Sequence, residues 1–305
     1  RLTPFEEYMY LDHLSGNSMV FCVRVTVEGF IERQVFEQAL EQAAADNPLL
    51  RATIVRRWWG RYEWSLEQDV RPYCEWHAGS NYTYRVPQLD LTIEAGLRVV
   101  VVQHDDTTHI HVFMHHTVGD GVAAFSVVEQ LLTNYALATG ADPQSIRRPK
   151  LDPQLLADRE RLRWRSYRGW EWVKGTIYEY WKFFTQVPAA LRSRFTTPLP
   201  AAEQFPEFLD ATLTYEETRA IRLAAHSEDL TVNELLISEL FHSLVEWNDR
   251  FRSQETTALH DPWYRVAMPT NLRDHADERT SVTNIVSMAF LNRRRSVIAG
   301  DERAF

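Results

Sequence analysis

His115-His116-Thr117-Val118-Gly119-Asp120-Gly121 is the most informative stretch of this sequence. It follows an apolar run from His109 to Met114 whose composition is typical of a strand. After it, apolar residues recur at helical spacing as far as about Ala138, at positions 122, 125, 127, 128, 131, 132 and 135. The motif therefore lies where a strand ends and a helix begins. Because successive side chains of a strand point to opposite faces, one of the two histidines can face a channel while the other is packed.

A histidine held at the mouth of a cleft can act as a general base. The imidazole pKa lies near neutrality, so the ring can take a proton from a hydroxyl or an amine as that atom attacks a carbonyl. This is the functional hypothesis for His116, and the alternative for any isolated histidine on a strand is a satisfied structural residue. Asp120 is expected to fix the loop, with Gly119 and Gly121 permitting a tight turn.

The spacing His-His-x-x-x-Asp-Gly resembles the signature of the chloramphenicol acetyltransferase-like superfamily, which includes nonribosomal condensation domains, alcohol O-acyltransferases and wax ester synthases. Further segments are similar to other parts of that family, in the same order and over nearly the whole chain. These segments are Asn47-Pro48-Leu49-Leu50-Arg51, Gly96-Leu97-Arg98, Leu230-Thr231-Val232-Asn233-Glu234-Leu235-Leu236, Asn271-Leu272-Arg273 and Asn284. Glu234 stands where the family commonly has Asp.

The resemblance implies an α/β protein of two related halves, each an α+β two-layer sandwich, which meet at a cleft. His116 inherits the role of catalytic base, while His115, Asp120 and Gly121 inherit structural roles in the motif. Three downstream polar residues resemble positions that line the family's substrate channel: Asn271, Arg273 and Asn284. Neither a metal nor a cofactor is implied.

The function that follows is direct transfer of an acyl group from a coenzyme A or acyl-carrier-protein thioester to an alcohol or an amine. The main alternative is a catalytically degenerate, condensation-like binding module. Neither the family's Asp-Phe-Gly-Trp-Gly-like segment nor its bridging strand occurs before Phe305. Either the sequence is truncated or the second half is partial, and the second case would favour the binding module. A third possibility is a metal-dependent hydrolase built on His109, His111 and His115, which share one strand parity. No carboxylate or cysteine supports these histidines at ligand spacing, and we expect no metal.

Prolines and periodicity divide the chain into three parts. Residues 1–144 form an N-terminal half that carries the motif, 145–206 a proline-bracketed helical crossover, and 207–305 a partial C-terminal half. The expected strands are 18–28, 97–104, 109–114, 208–213, 265–268 and 284–291, with a further hairpin, 50–59 and 61–66, that turns at Gly60. The expected helices are 31–45, 122–138, 216–226 and 232–248, the last with a capping box from Thr231 to Glu234.

The composition limits which binding partners and which cellular compartment are expected. A formal net charge of -9 provides no basic field for a nucleic acid, so none is expected. The two cysteines, Cys22 and Cys74, are too few for a disulfide framework, which favours a reducing, cytoplasmic compartment. No segment approaches the roughly 18 apolar residues of a membrane span. Trp and Arg side chains are mixed within residues 159–182, and the favoured interpretation is a crossover packed on its own domain. The alternative is contact with a membrane surface, and the mixture points toward lipid-like substrates and lipid metabolism.

Overall fold

The computed structural model describes residues 1–79, 85–146, 150–159, 170–192, 211–251 and 261–300. Within these residues the chain is a mixed α/β protein. The helices are α1 (Pro4–Leu14), α2 (Arg33–Ala45), α3 (Gly121–Ala138), α4 (Trp170–Thr185), α5 (Tyr215–Ser227), α6 (Val232–Arg250) and α7 (Arg295–Gly300). The strands are β1 (Val20–Glu28), β2 (Thr53–Arg56), β3 (Tyr62–Ser65), β4 (Tyr73–Ala78), β5 (Leu97–His104), β6 (Thr107–His115), β7 (Trp263–Asn271) and β8 (Val286–Arg294).

A four-stranded sheet with the order β1-β6-β5-β4 carries the motif at the end of β6. β6 pairs antiparallel with both β1 and β5, whereas β4 runs parallel to β5 at the edge of the sheet. The apolar residues of β5 and β6 are buried on both faces of the sheet. Burial on both faces explains why these two strands have nearly continuous apolar sequences.

The two faces of this sheet belong to two separate groups of buried side chains. The larger group includes Phe36 of α2 and Leu131 of α3, which cover one face. The smaller group, on the other face, includes Val100 and Phe113. His115 has the same strand parity as Phe113, so its side chain points to the second face, away from α2 and α3.

The buried carboxylate of Glu6 fixes α1. It accepts hydrogen bonds from the backbone N–H of Thr3 at 2.8 Å and from Nε1 of Trp64 at 3.1 Å. The guanidinium of Arg159 pairs with both of its oxygens, at 2.8 and 3.0 Å. A buried carboxylate with this many donors is fully satisfied. It holds in place the helix that supplies two rings to the candidate site described below.

Most elements predicted from the sequence are present. The strand before Gly29, the helix after it, both hairpins and the helix after the motif all occur. Thr231 and Glu234 form the expected capping box at the start of α6, with both reciprocal hydrogen bonds made. The α/β fold class is therefore confirmed.

Some predictions are wrong or incomplete. The turn expected over residues 105–108 has only two residues, because His104 pairs with Thr107 and Asp105 takes a positive φ of 48°. Of the strand expected at 208–213, residues 211–213 lie in no strand, and 208–210 lie outside the described residues. Three elements, α1, β4 and α7, were not predicted at all.

Two compact units make up the chain. Unit 1 comprises Arg1–Ser166 and Asn271–Val286, and unit 2 comprises Tyr167–Thr270 and Ser287–Phe305. The motif and the returning segment 271–286 thus belong to the same unit. The division at 144 and 206 derived from the sequence stays a prediction, because much of 145–206 lies outside the described residues.

Unit 2 contains α4 to α7 and most of the two-stranded sheet formed by β7 and β8. Its buried apolar cluster is small and consists of Phe241, Tyr264 and Ile298 with partly buried neighbours. No helix in the described parts of the chain combines the length and the apolar run that crossing a membrane requires.

Candidate active site

The motif loop, residues 115–120, connects β6 to α3 and is held by backbone hydrogen bonds at its start. The N–H of His115 donates to the carbonyl oxygen of Gly96 at 2.9 Å, and the N–H of His116 donates to that of Met19 at 2.7 Å. The N–H of Val118 closes a turn onto the carbonyl oxygen of His115 at 2.9 Å. The backbone of both histidines is therefore fixed by neighbouring strands and turns.

The two adjacent histidines lie in opposite environments. His115 is fully buried, whereas His116 is the one residue between 111 and 120 that is partly exposed. The ring of His116 lies beside two aromatic rings, with centroid distances of 5.1 Å to Phe21 and 6.3 Å to Phe5. These contacts flank an imidazole that is partly exposed, although its Nδ1 is buried.

His115 is poorly suited to take a proton. Its Nδ1 accepts a hydrogen bond from the N–H of Thr117 at 3.1 Å, and its ring packs edge-on against that of His13 at 4.5 Å. Burial first, and then the charges of His13 and His116, lower the pKa of His115 to about 3. Burial also lowers the pKa of His13, opposed by the charge of Asp90. His115 is therefore neutral at ordinary pH and a weak base.

Asp120 joins the motif loop to α3 and to the returning segment. Its Oδ1 caps α3 by accepting from the N–H of Ala123 at 3.0 Å. Its Oδ2 accepts from Nη1 of Arg273 at 2.8 Å and from the N–H of Ile285 at 2.9 Å. Asp120 is buried, and these three donors satisfy its charge.

The three downstream residues predicted from the sequence lie around this ion pair. Arg273 also donates to the carbonyl oxygen of Thr283 at 2.9 Å and to Oδ1 of Asn271 at 3.3 Å. The amide of Asn284 donates to the carbonyl oxygens of His116, at 2.8 Å, and Thr117, at 3.1 Å. Arg273 and Asn284 thus contact the motif loop directly, and Asn271 contacts Arg273. Their role in lining a substrate channel stays a prediction.

Gly119 and Gly121 differ in how much space a side chain would have. Neither takes a positive φ, so the tight turn expected here does not require a left-handed backbone at either glycine. A Cβ at Gly119 would lie 2.9 Å from Cβ of Ala123 and 3.0 Å from Cγ1 of Val282, whereas a Cβ at Gly121 would meet nothing within 4 Å. Gly119 is needed for close packing, and Gly121 is the first residue of α3.

Several residues of the site were not predicted as site residues. Phe5 and His13 lie on α1, for which no helix was predicted. Asn47, quoted only for its family resemblance, is fully buried and accepts from the N–H of Val282 at 2.9 Å, which fixes the returning segment. Thr3, Pro4 and Glu6 give the sequence pattern of a capped helix start, which would have revealed α1.

The histidines of β6 do not form a metal centre within the described residues. No group of three or more His, Cys, Asp or Glu side chains in those residues could hold a metal ion. His109 instead pairs through Nδ1 with the hydroxyl of Thr26 at 3.0 Å.

No protein-family model and no curated protein matches this chain. Its structure, in contrast, matches solved structures. The first condensation domain of the calcium-dependent antibiotic synthetase aligns with a TM-score of 0.71 over 96% of this chain and 69% of that chain, at 17% sequence identity. This chain has the condensation-domain fold.

Structures of proteins with other names also match this chain. The epimerization domain from the third module of tyrocidine synthetase B aligns with a TM-score of 0.66 over 96% of this chain and 67% of that chain, at 18% identity. Polyketide synthase associated protein 5 from Mycobacterium tuberculosis aligns with a TM-score of 0.55 over the same shares, also at 18% identity. Such low identities establish the fold and leave the reaction open, since the fold carries both condensation and epimerization domains. The resemblance predicted from the sequence is confirmed at the level of the fold.

The two motif glycines provide a matched test of packing. Gly119→Ala forces a methyl group against Ala123 and Val282, and we expect it to lower the free energy of unfolding by about 1–3 kcal/mol. Gly121→Ala adds a methyl group in open space and should be neutral within about 0.5 kcal/mol or slightly stabilising. Urea unfolding of both variants checks this, and equal effects would contradict it.

The ion pair of Asp120 and Arg273 gives a second test. Asp120→Asn leaves the guanidinium buried without its carboxylate and should destabilise the protein by about 3–5 kcal/mol. The matched control is Asp249→Asn, which removes a 2.8 Å pair with Arg295 that is open to solvent, and it should change stability by less than about 1 kcal/mol. If Asp120→Asn unfolded at the same urea concentration as its parent, Asp120 would not hold the loop.

The buried imidazole of His115 predicts loss of stability in acid. Its pKa is 6.5 in the unfolded chain and about 3 in the folded protein, so its stabilising contribution is complete above pH 6.5 and falls as the pH drops toward 3. Between pH 7 and pH 5 this amounts to about 2 kcal/mol. His115→Gln should reduce the pH dependence of unfolding by that amount. His242→Gln, at an exposed histidine of α6, is the control and should leave the dependence nearly unchanged. An unchanged dependence in His115→Gln would refute the assignment.

Proposed function

We propose that this chain is an acyltransferase in which His116 is the general base. The observation that carries the proposal is the contrast within the motif. His116 is partly exposed, has aromatic rings beside it and is held through both its backbone N–H and its carbonyl oxygen. His115, in contrast, is buried and hard to protonate.

The proposed step uses the accessible nitrogen of His116. Its Nδ1 is buried and has no hydrogen-bond partner among the described residues, so Nε2 is the nitrogen that can reach an acceptor. Nε2 takes the proton of the acceptor hydroxyl or amine as its oxygen or nitrogen bonds to the thioester carbon. The carbon–sulfur bond of the resulting tetrahedral intermediate then breaks, and the imidazolium returns the proton to the leaving thiolate. Transfer is direct, with no acyl-enzyme and no cofactor.

The donor is a thioester of coenzyme A or of an acyl carrier protein. The fold shared with a condensation domain of an antibiotic synthetase supports a carrier protein as donor, and the resemblance to wax ester synthases supports coenzyme A and a lipid-like hydroxyl acceptor. A reducing, cytoplasmic compartment is part of the proposal, because the two cysteines of the sequence are too few for a disulfide framework.

A second candidate is a condensation-like binding module without catalysis. It is supported by the small size of the apolar cluster that the described residues of unit 2 form. The experiment that separates the two candidates measures free thiol when the protein is mixed with acyl-coenzyme A or an acyl carrier protein and a set of alcohols and amines. Thiol release that requires both donor and acceptor supports the transferase.

Contact of residues 159–182 with a membrane surface is part of the proposal. Residues 160–169 lie outside the described residues. The described helix α4 exposes Ile177, Tyr178, Tyr180 and Trp181 to solvent, which is compatible with such contact.

Substitution of each motif histidine tests the assignment of the base. His116→Ala should lower the transfer rate by roughly 10²- to 10⁴-fold with little change in stability, because it removes the base from a partly exposed position. His115→Ala should instead destabilise the fold by about 1–3 kcal/mol while the folded fraction keeps its activity. Rates are normalised to folded protein measured by near-ultraviolet circular dichroism.

Three outcomes would count against the proposal. If both variants stayed active after normalisation, neither histidine would be the base. If His115→Ala alone lost the chemical step, the two roles would be reversed. If the parent released no thiol with either donor, the binding module would be the better account.

A further inference from the structure

The hairpin of β2 and β3 ends in two exposed tryptophans. The N–H of Gly60 donates to the carbonyl oxygen of Arg57 at 2.8 Å, so Trp58 and Trp59 occupy the two central positions of the turn. Trp58 is 92% exposed and Trp59 51% exposed. Their rings pack against each other edge to face, with a centroid distance of 5.3 Å. We call residues 57–61 the hairpin tip.

Neither the turn nor the core accounts for these two side chains. The central positions of a turn favour Gly, Pro, Asn, Asp or Ser, and the conformational requirement here is met by Gly60 with its φ of 85°. Neither tryptophan belongs to a buried cluster. Two large apolar rings are thus held in water at the end of a ribbon, which indicates that they bind something.

The base of the hairpin is rigid. Ile54 is buried, and its N–H donates to the carbonyl oxygen of Leu91 at 2.7 Å. Tyr62 and Trp64 pack against the main core. The tip therefore projects from a fixed support, and binding through it would require little ordering of the chain.

The charge of the hairpin is opposite to that of the whole chain. Residues 53–65 contain three arginines and one glutamate, whereas the whole chain has a net charge of -9. Glu63 pairs with Arg57 at 2.8 Å. Arg56 lies over the ring of Tyr62, with its guanidinium 6.0 Å from the centroid, and neither Arg56 nor Arg61 has a carboxylate partner among the described residues. Two unneutralised cations thus lie immediately behind the tryptophans.

We propose that the hairpin tip inserts into an anionic lipid surface. Tryptophan prefers the boundary between headgroups and acyl chains, and arginines next to it attract anionic headgroups. The order of the residues matches that boundary, because the tryptophan rings lie at the end of the hairpin and the arginines lie next to them, toward its base. A protein partner is a poorer fit, because a stable protein interface uses about 20–30 residues on each side, and the tip has five. This inference goes beyond the proposed acyl transfer and can be tested without measuring activity.

Vesicle sedimentation tests the proposal directly. The probes are vesicles of phosphatidylcholine alone and of phosphatidylcholine mixed with phosphatidylserine. We expect the parent to bind the mixed vesicles and to be released by salt. Trp58→Ser/Trp59→Ser should lose binding. Arg56→Gln/Arg61→Gln should weaken it more than tenfold, since each cation near an anionic surface contributes a factor of about five in partitioning.

Matched variants elsewhere serve as controls. Arg219→Gln/Arg222→Gln removes two exposed arginines of α5 and should keep parental binding. Trp181→Ser removes an exposed tryptophan of α4, the segment that the proposed function places at a membrane, and it should weaken binding less than either tip variant. Circular dichroism should show all four variants folded, because the changed side chains are at the surface. The proposal is overturned if the parent does not bind the mixed vesicles, or if the tip variants bind as well as the parent. If only Trp181→Ser lost binding, the membrane contact would lie on α4 instead. If the parent self-associated without vesicles, and Trp58→Ser/Trp59→Ser did not, the tip would be a protein interface.

Discussion

The buried carboxylate of Asp120 holds together parts of unit 1 that are far apart in the sequence. It caps α3 through Ala123, pairs with Arg273 and accepts from the N–H of Ile285. A carboxylate removed from water is tolerated only when donors replace its hydration, and all three donors here come from ordered backbone or from a nearly buried guanidinium. The motif loop can therefore keep one shape only while the segment 271–286 is in place.

The shape of the motif loop gives the two adjacent histidines opposite properties. The loop leaves His115 among buried groups, where charging the ring is unfavourable, and turns His116 toward solvent. The amide of Asn284 donates to the carbonyl oxygens of His116 and Thr117, so the backbone that carries the ring is held by a group that need not touch a substrate. In the proposed reaction, a base held this way would need no reorganisation when an acceptor arrives.

Local sequence patterns predicted the elements whose formation depends mainly on residues close together in the chain. β5, β6 and α3 follow from apolar periodicity, and the start of α6 follows from the Thr231–Glu234 pair. α1 was missed because its apolar residues form no clear stripe, and the edge strand β4 because it carries polar residues on a half-exposed surface. Asp120 and Arg273 are far apart in the sequence, so their contact produces no local sequence pattern. Only the family resemblance predicted that Arg273 and Asn284 belong to the site.

The return of residues 271–286 to unit 1 also governs the order in which the protein can fold. A chain made from its N-terminus exposes Asn47 and Asp120 long before Val282 and Ile285 are synthesised, and closing so large a loop is slow. Until then the sheet can form, but the motif loop lacks two of the contacts that define it. The geometry of the motif loop is thus a late product of folding, and an early compact state of the N-terminal sheet would contain both histidines without the arrangement that separates them.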